Sequence, residues 1–510
     1  MNIKQVKKEL IRTIQAYLLK NEDGEYRMDF VRQRPVLLIG PPGIGKTAVM
    51  EQVAKACGIG LVAYTITHHT RQSAIGLPFI REKEYGGTRY SVTEYTMSEI
   101  VAAVYEKMEQ TGLKEGILFL DEINCVSETL APTMLQFLQF KMFGNHKIPE
   151  GWVIVAAGNP PEYNKSVREF DLVTLDRVRK ITVEEDYGVW KEYAYQKGIH
   201  SAIIGYLDLK KENFYHIQMA ADGMEFVTAR GWEDLSEMIG AYETIHVKPE
   251  ESMVVQYLQD ERIARDFANY LDFYYKYQTV YDMEAILSGG GTEEMIRKLE
   301  QAPFDERLSV IRLLMGSLGG SCRDAYLTDR FVSCLFNWLK QEKETIQDLD
   351  GKGEDTAAYL AKRTAERREK YQKKKKADLY TREEAYAKKK SLECLDLYAK
   401  KLKDALENGE RDSFAVLKKE FQKETARRQE EINTIRNHME QAFSFVERAF
   451  GESQEMVIFL TELAMNFYTL TFIRENGCEA YYHYNEALLF EEKQKKILEQ
   501  IQSIEDWENL

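Results

Sequence analysis

The 510-residue chain has few prolines, and their distribution divides it into two parts. Nine of the ten prolines lie before residue 250 and the last is Pro303, so the final 207 residues contain none. Because proline interrupts helices, its absence over this length favours long, uninterrupted helices in the C-terminal part. The length predicts two or more domains, and a 44% share of hydrophobic residues allows a large core.

Cysteine is also scarce. The six cysteines form no Cys-x-x-Cys pair, which argues against a disulfide framework and a zinc knuckle and favours a reducing compartment. The N-terminus lacks the apolar core of a signal peptide. The most apolar run, residues 456–473, is interrupted by Glu462 and Asn466, which predicts a buried helix rather than a membrane span. We therefore expect a cytoplasmic protein without a membrane partner.

Charge is unevenly distributed along the chain. The net charge of −14 argues against a protein that wraps generally around nucleic acid. Residues 362–390, however, contain thirteen Lys or Arg and five acidic residues, a net charge of +8 that leaves −22 for the remainder. This basic segment can be a solvated helix face or a patch for an acidic partner or nucleic acid, and the sequence leaves both open.

The most specific pattern in the chain is a glycine-rich loop with the sequence GPPGIGKT at residues 40–47, which fits G-x-x-x-x-G-K-[ST]. A short apolar run predicts a buried strand before it, and residues 47–56 predict a helix after it. In that context the loop N–H groups and the helix N-terminus form a cradle for phosphates. We expect Lys46 to reach the β- and γ-phosphates of a nucleotide and the Thr47 hydroxyl to hold Mg²⁺. The predicted nucleotide-binding residues are Gly40, Pro41, Pro42, Gly43, Ile44, Gly45, Lys46, Thr47 and Ala48.

Two further buried strands end in polar residues. Residues 117–120 lead into Asp121 and Glu122, at the strand end where α/β sheets bind ligands. Asp121 is the expected partner of Mg²⁺ and Glu122 the expected general base for an attacking water. Asn159 follows a second such strand. It can contact the γ-phosphate or the water, or it can be an ordinary turn asparagine before proline.

Arginines follow at two later places. Arg177 precedes a strand and can form a local salt bridge or act as an arginine finger towards the nucleotide of a neighbouring subunit; Arg179 is a competitor for that role. Arg230 begins a helix and can close over the γ-phosphate.

Taken in order, these elements resemble AAA+ ATPases over roughly residues 1–245. The loop matches Walker A, Asp121-Glu122 Walker B, Asn159 sensor 1, Arg177 the finger and Arg230 sensor 2. The sequences Leu-Asp-Glu-Ile-Asn, Gly-Asn-Pro and Leu-Asp-Arg are similar to motifs of the MoxR-like group. An insert at residues 76–92, in which apolar and polar residues alternate as in a β-hairpin, also resembles that group. The chain departs from that group at Val178, where phenylalanine is usual, and in the Cys-Val-Ser that follows Asn124.

The resemblance implies a hexameric homo-oligomeric ring, in which Arg177 completes the neighbouring site, with ATP and Mg²⁺ as substrate and cofactor. It also implies a protein client, in this group often one with a von Willebrand factor A domain. Since the chain contains no D-x-S-x-S motif, such a client would be a separate polypeptide.

The expected fold is α/β: an AAA+ P-loop parallel sheet with a helical lid, followed by a mostly α-helical C-terminal region with a long helical hairpin. Predicted strands are residues 36–39, 60–65, 117–120, 152–156 and 180–183. The glycine run at 288–292 and residues 348–353 predict breaks. Helices at 357–407 and 413–450, joined by a turn at 408–412, would project into solvent or meet a partner, because their apolar positions are sparse. The predicted domains are 1–185 (nucleotide-binding core), 186–247 (lid), 248–348 (helical region), 349–452 (charged hairpin) and 453–510 (C-terminal helices).

Three functions are compatible with these patterns. The leading hypothesis is a Mg²⁺-dependent ATP hydrolase of the MoxR-like type that remodels or chaperones partner proteins. The alternative is a nucleic-acid-associated motor that uses the basic segment. A scaffold that binds nucleotide without turnover is the third, and Lys46, Asp121 and Glu122 argue against it.

Overall fold

The computed structural model describes residues 1–68, 74, 76–143, 145–163, 167, 170–220 and 223–486. The chain divides into two compact units. The first, here called the core unit, consists of residues 1–189, 228–230 and 365–385. The second, here called the helical unit, consists of residues 190–227, 231–364 and the chain from 386 onwards. Residues 487–510, part of the last predicted domain, lie outside the described residues. The division into five domains stays a prediction.

Strands and helices alternate in the first half of the described chain. The second half is almost entirely helical. The strands are β1 Val36–Ile39, β2 Gly60–Thr65, β3 Pro78–Tyr85, β4 Thr88–Tyr95, β5 Gly116–Asp121, β6 Met142–Phe143, β7 His146–Lys147, β8 Trp152–Gly158, β9 Arg179–Thr182, β10 His216–Ala220 and β11 Gly223–Val227. The helices are α1 Ile3–Tyr17, α2 Lys46–Cys57, α3 Glu99–Thr111, α4 Ala131–Phe140, α5 Leu172–Arg177, α6 Tyr187–Lys197, α7 Ser201–Leu209, α8 Ala229–Thr244, α9 Glu251–Tyr257, α10 Glu261–Val280, α11 Met283–Ala285, α12 Glu293–Glu300, α13 Phe304–Lys352, α14 Thr356–Lys376, α15 Arg382–Glu407, α16 Ser413–Phe450, α17 Gln454–Met465 and α18 Phe467–Asn476.

The core unit is built on a five-stranded parallel sheet in the order β2-β5-β8-β1-β9. Alternate residues of its central strands enter separate hydrophobic cores: Leu118 and Leu120 belong to one, Ile117 and Phe119 to the other. A sheet covered on both faces requires apolar residues at successive positions, which is why these strands are continuous hydrophobic runs. The predicted parallel sheet is confirmed, and the five predicted strands agree with the observed ones to within two residues.

The insert predicted as a β-hairpin is confirmed as β3 and β4. Its antiparallel pairing runs from Pro78 opposite Tyr95 to Tyr85 opposite Thr88. Gly86 and Gly87 form the turn with φ of 57° and 82°, a left-handed conformation that glycine adopts without strain. The hairpin exposes several large apolar side chains, with Ile80 at 77% the most exposed.

The predicted lid contains helices α6, α7 and α8, but it is not purely helical. Strands β10 and β11 pair in antiparallel orientation, from His216 opposite Val227 to Ala220 opposite Gly223, which the sequence analysis did not predict. The apolar and polar residues of this segment alternate over only a few positions, which is too short a run to predict a strand.

The C-terminal part is helical, as predicted, and α13 alone runs for 49 residues. The prediction of one helix over 357–407 is wrong. The chain breaks between α14 and α15, where Asp378 adopts a positive φ of 55°. The break predicted at 348–353 occurs only at residue 353. Helix α13 continues to Lys352, and Gly353, with a φ of 71°, ends the helix.

The expectation that this hairpin projects into solvent is also wrong within the helical unit. Many of its apolar residues form a buried cluster with α13, and those of α16 from Ile432 onwards join a second buried cluster. Members of the first cluster are Leu335, Leu339, Leu360, Leu395, Leu402 and Leu417. The few apolar positions suffice because most of them lie on the face that packs, with Leu397 at 50% exposed as an exception. The turn between α15 and α16 at 408–412 is where it was predicted.

A network of buried charges lies inside the helical unit. Lys191 of α6 contacts Asp208 of α7 at 2.7 Å and Glu462 of α17 at 2.6 Å. Arg312 of α13 contacts the same two acids, with 2.8 Å to Glu462. The Tyr195 hydroxyl donates a further hydrogen bond to Glu462. The four charged side chains are 6% to 15% exposed, so two cations and two anions compensate each other away from water.

In the described part of the chain no single helix has the length and apolarity to cross a membrane. Helices α17 and α18, which are bent by 86° relative to each other, meet that criterion only when they are taken together.

Candidate nucleotide-binding site

The glycine-rich loop lies between β1 and α2, as the motif requires. Gly43 and Gly45 have φ of 73° and 90°, and Gly45 is the N-cap of α2. Gly40 lies so close to Val183 that a Cβ at this position would be 2.5 Å from the Val183 main-chain oxygen. Glycine is therefore needed here both for backbone conformation and for close approach.

Lys46, the one charged residue of the loop, is buried at 8% exposed. Its ammonium group donates hydrogen bonds to the main-chain oxygens of Gly40 at 2.8 Å and Pro41 at 2.7 Å, and to Asn159 Oδ1 at 2.9 Å. Burial lowers the pKa of Lys46 to about 8; nearby Asp121 and Glu122 oppose this shift and Arg230 adds to it. A desolvated cation inside a ring of backbone groups is suited to an anionic ligand.

Thr47 and Asp121 form a pair of oxygen ligands next to this lysine. The Thr47 hydroxyl donates to Asp121 Oδ2 at 2.8 Å, and Asp121 Oδ1 accepts from the Glu122 N–H at 2.9 Å. Hydroxyl and carboxylate oxygens are what Mg²⁺ prefers, and the remaining positions of its octahedron are ordinarily water or phosphate oxygens. Among the described residues, no group of three or more His, Cys, Asp or Glu side chains could hold a metal. The Thr47 hydroxyl and the Asp121 carboxylate would supply two oxygen ligands for Mg²⁺, with phosphate and water oxygens as the others.

Glu122 and Asn159 come from neighbouring strands. Glu122 directly follows β5 and adopts a left-handed φ of 57°, unusual for a residue with a side chain. Asn159 directly follows β8, which pairs with β5 in parallel. Their strand ends share one edge of the sheet, and Lys46 reaches that edge through its hydrogen bond to Asn159.

Arg230 comes from much later in the chain but acts on the same loop. It is exposed in the first turn of α8, and its charge is close enough to lower the pKa of Lys46. Two residues earlier, Thr228 lies against the loop: a Cβ on Gly43 would be 2.9 Å from its Cβ and Oγ1. Residues 228–230 thus belong to the core unit although they follow the hairpin of the lid.

The two arginines that compete for the finger role differ in environment. Arg179 donates to the Thr13 hydroxyl at 2.6 Å and forms an ion pair with Glu9, so α1 of its own chain holds it. Arg177 is exposed at the last position of α5. One residue of the site was missed by the sequence analysis. Asn124 lies within the motif at residues 120–124 but had no assigned role, and its side chain bonds to the main chain of Asn159.

Comparison with known proteins gives one family match. Residues 35–178 match the family described as AAA domain (dynein-related subfamily). No curated protein matches the chain. Together with the parallel sheet and the glycine-rich loop, the match shows an AAA domain over residues 35–178 of the chain, which agrees with the AAA+ resemblance.

Two solved structures share a distant likeness. One is described as the crystal structure of the FIGL-1 AAA domain in complex with ADP. It is 16% identical, with 46% of this chain and 64% of that chain covered and a TM-score of 0.24. The other is PCH-2 of C. elegans, 13% identical, with 41% and 48% covered and the same TM-score. This chain spans less than two thirds of either, and a TM-score of 0.24 is too low to carry an argument about function.

Proposed function

We propose that this AAA-domain protein binds ATP with Mg²⁺ at the loop of residues 40–47 and hydrolyses it to ADP and phosphate. The observation that carries the proposal is the convergence of separate chain segments on one loop. Lys46 contacts Asn159, which is 113 residues away, and Thr47 contacts Asp121, which is 74 residues away. A chance glycine-rich turn would have no reason to gather a cation, a hydroxyl, a carboxylate and an amide at the same sheet edge.

Each residue has a role that its position supports. Lys46 would exchange its loop carbonyl partners for phosphate oxygens, and Thr47 with Asp121 would hold Mg²⁺. When bound, Mg²⁺ supplies charge neutralisation on the phosphate oxygens. Glu122 would accept the proton of the attacking water, and Asn159 would orient that water or the γ-phosphate. Arg230 would add a positive charge near the γ-phosphate.

We further propose that the active form is a homo-oligomeric ring, a hexamer, in which Arg177 acts on the nucleotide of the neighbouring subunit. The support is that Arg179 already has partners in its own chain, whereas Arg177 lies exposed at the end of α5. An arginine supplied in trans stabilises the charge of the transferred phosphoryl group.

The output we propose is remodelling or chaperoning of a protein client in the cytoplasm, in the manner of the MoxR-like group. Support comes from the motif wording at residues 120–124 and 158–160 and from the exposed hairpin of β3 and β4 at the insert position. A von Willebrand A-domain protein is the proposed client. A pull-down with a variant that traps ATP, followed by mass spectrometry, would test this: clients without that domain would contradict it.

One observation favours the alternative of a nucleic-acid motor. The four lysines at 373–376 are all exposed at the end of α14. The remaining net charge of −22 weighs against that role. The remodelling function is therefore the better supported of the two.

The hydrolysis proposal is tested with Glu122→Gln. This change keeps the shape of the side chain but removes the base, so the variant should bind ATP as the wild type does and release phosphate far more slowly. Nucleotide binding and phosphate release are measured on both proteins. If wild type and variant release phosphate equally slowly, the protein is a nucleotide-binding scaffold instead.

A further inference from the structure

An amide side chain that none of the assigned roles uses joins the ends of strands β5 and β8. Asn124 is 5% exposed and lies two residues after Glu122. Its Nδ2 donates a hydrogen bond of 2.7 Å to the main-chain oxygen of Asn159. The amide can face only this way, because a carbonyl oxygen accepts hydrogen bonds and cannot donate them. The bond thus ties the segment that carries Glu122 to the segment that carries Asn159.

This bond lies where the backbone pairing of the two strands ends. The last ladder pair is Leu120 with Ala156, after which Glu122 turns into the left-handed region. One backbone bond, from Ile123 N–H to Ala157 O at 2.9 Å, follows it. Asn124 then supplies the next connection with its side chain. Without that connection the chain beyond Ala157 would lose its outermost link to the β5 segment.

The other end of the amide is enclosed as tightly. Asn124 Oδ1 is buried and has no hydrogen-bond partner among the described residues. A Cβ at Gly158 would lie 2.4 Å from Oδ1, 2.8 Å from Cγ and 3.1 Å from Nδ2 of Asn124, the three heavy atoms nearest to it. Only glycine at 158 lets the amide lie flat against the end of β8. The lack of a side chain at Gly158 therefore leaves room for the Asn124 amide that bonds to Asn159.

Asn159 is consequently held from two sides. Its main-chain oxygen is bound by Asn124, and its side-chain oxygen accepts from Lys46 at 2.9 Å. When a phosphate competes for Lys46, only the bond from Asn124 remains of these two.

We propose that Asn124 is a positioning residue for ATP hydrolysis: through its bond to the Asn159 main chain it sets the placement of Asn159 relative to Glu122. This inference rests on the proposed function. It predicts a loss in turnover with little change in nucleotide affinity, because the Asn124 side chain bonds to the Asn159 main chain and not to Lys46, Thr47 or Asp121.

The first test is Asn124→Ala, together with Asn124→Asp, which keeps the shape but replaces the donor with an acceptor. Both should lower kcat by about 10- to 100-fold, the scale of a misplacement of about 1 Å. The dissociation constant for ATP should stay within about threefold. A kcat within twofold of wild type, or a loss confined to affinity, would overturn the proposal.

The second test uses Gly158→Ala alone and combined with Asn124→Ala. Alone, the added methyl group collides with the amide and should lower kcat to a similar extent. In the Asn124→Ala background the colliding atoms are gone, so adding Gly158→Ala should lower kcat by less than about a further twofold. Independent, multiplicative losses would mean that the two residues do not act through their contact, which would sink the idea.

A matched control and a readout without catalysis complete the design. Asn213→Ala also removes a buried amide, one that donates to the Tyr206 hydroxyl at 2.7 Å in the helical unit, and should leave kcat unchanged. Hydrogen exchange of the amides that follow β8 should accelerate about tenfold or more in Asn124→Ala but not in Asn213→Ala. If exchange of these amides is unchanged in Asn124→Ala, the positioning role of Asn124 is refuted, even if the protein hydrolyses no ATP. If the wild type fails to hydrolyse ATP but exchange changes as expected, only the proposed function is contradicted.

Discussion

Glu462→Gln is the change that should reveal how strongly the buried charge network stabilises the helical unit. Both carboxylate oxygens are engaged, one with Lys191 at 2.6 Å and the other with Arg312 at 2.8 Å. Glutamine keeps the shape but leaves the two cations facing Asp208 alone, so one positive charge is uncompensated at a site 6% exposed. Breaking a buried pair in this way costs about 3–5 kcal/mol.

Hydrogen exchange followed by mass spectrometry localises the effect. If opening of this region limits exchange, a loss of that size speeds exchange on the order of 10²- to 10⁴-fold in α17 and in residues 190–197 of α6. Strands β1 and β5 of the core unit serve as an internal reference. The matched control is Glu420→Gln: its partners Lys401 and Lys423 are 41% and 60% exposed, so it should cost less than about 1 kcal/mol. Exchange within fivefold of that control would refute the reasoning.

The same network predicts a pH dependence. Burial alone would raise the pKa of Glu462, yet the adjacent Arg312 and Lys191 hold it below its usual value. Because the folded-state pKa is the lower one, the carboxylate stabilises the fold above the unfolded-state pKa of about 4.3, and that contribution disappears as the pH falls through the folded-state value. The stability difference between wild type and Glu462→Gln, measured by urea unfolding, should therefore be full at pH 7 and shrink below about pH 4. A constant difference would contradict the assignment.

Three further predictions concern the nucleotide. Lys46→Ala should abolish ATP binding, and retained micromolar affinity in a titration would contradict the loop assignment. Arg177→Ala should still bind ATP but hydrolyse it about 10³-fold or more slowly, and mixing it with Glu122→Gln subunits should restore part of the activity. Arg179→Ala should hydrolyse ATP at the normal rate, since the partners of Arg179 lie in its own chain. The reverse result would assign the finger role to Arg179. ATPase rates should not respond to DNA or RNA, whereas stimulation that falls steeply with salt would favour the motor.

Local patterns predicted much of the core unit. Strands β1 and β2 have the bounds expected from the sequence, because a short apolar run beside a glycine loop allows few other structures. The structure brings Lys46 to Asn159 and Thr47 to Asp121, two hydrogen bonds that the motifs did not specify. The catalytic roles remain predictions, since geometry places groups together but does not show turnover.

Long-range packing could not be anticipated in the same way. The break between α14 and α15 has no proline or glycine to mark it; Asp378 adopts the positive φ there instead. The network of Lys191 and Glu462 joins residues 271 positions apart. Charged residues in helical sequence predict a solvated face, and only their burial together reveals a compensated cluster.

The sequence by itself determined the individual strands of the sheet, the phosphate-binding loop and, through the lack of prolines, the possibility of a 49-residue helix, because each depends on residues that are near one another in the chain. The tertiary structure alone decided which arginine is held by its own chain, and that the sparse apolar residues of the long helices are buried against α13. It also joined Asn124, two residues after Glu122, to the main chain of Asn159. These features depend on contacts between distant segments, whose geometry is settled only when the strands and helices have packed.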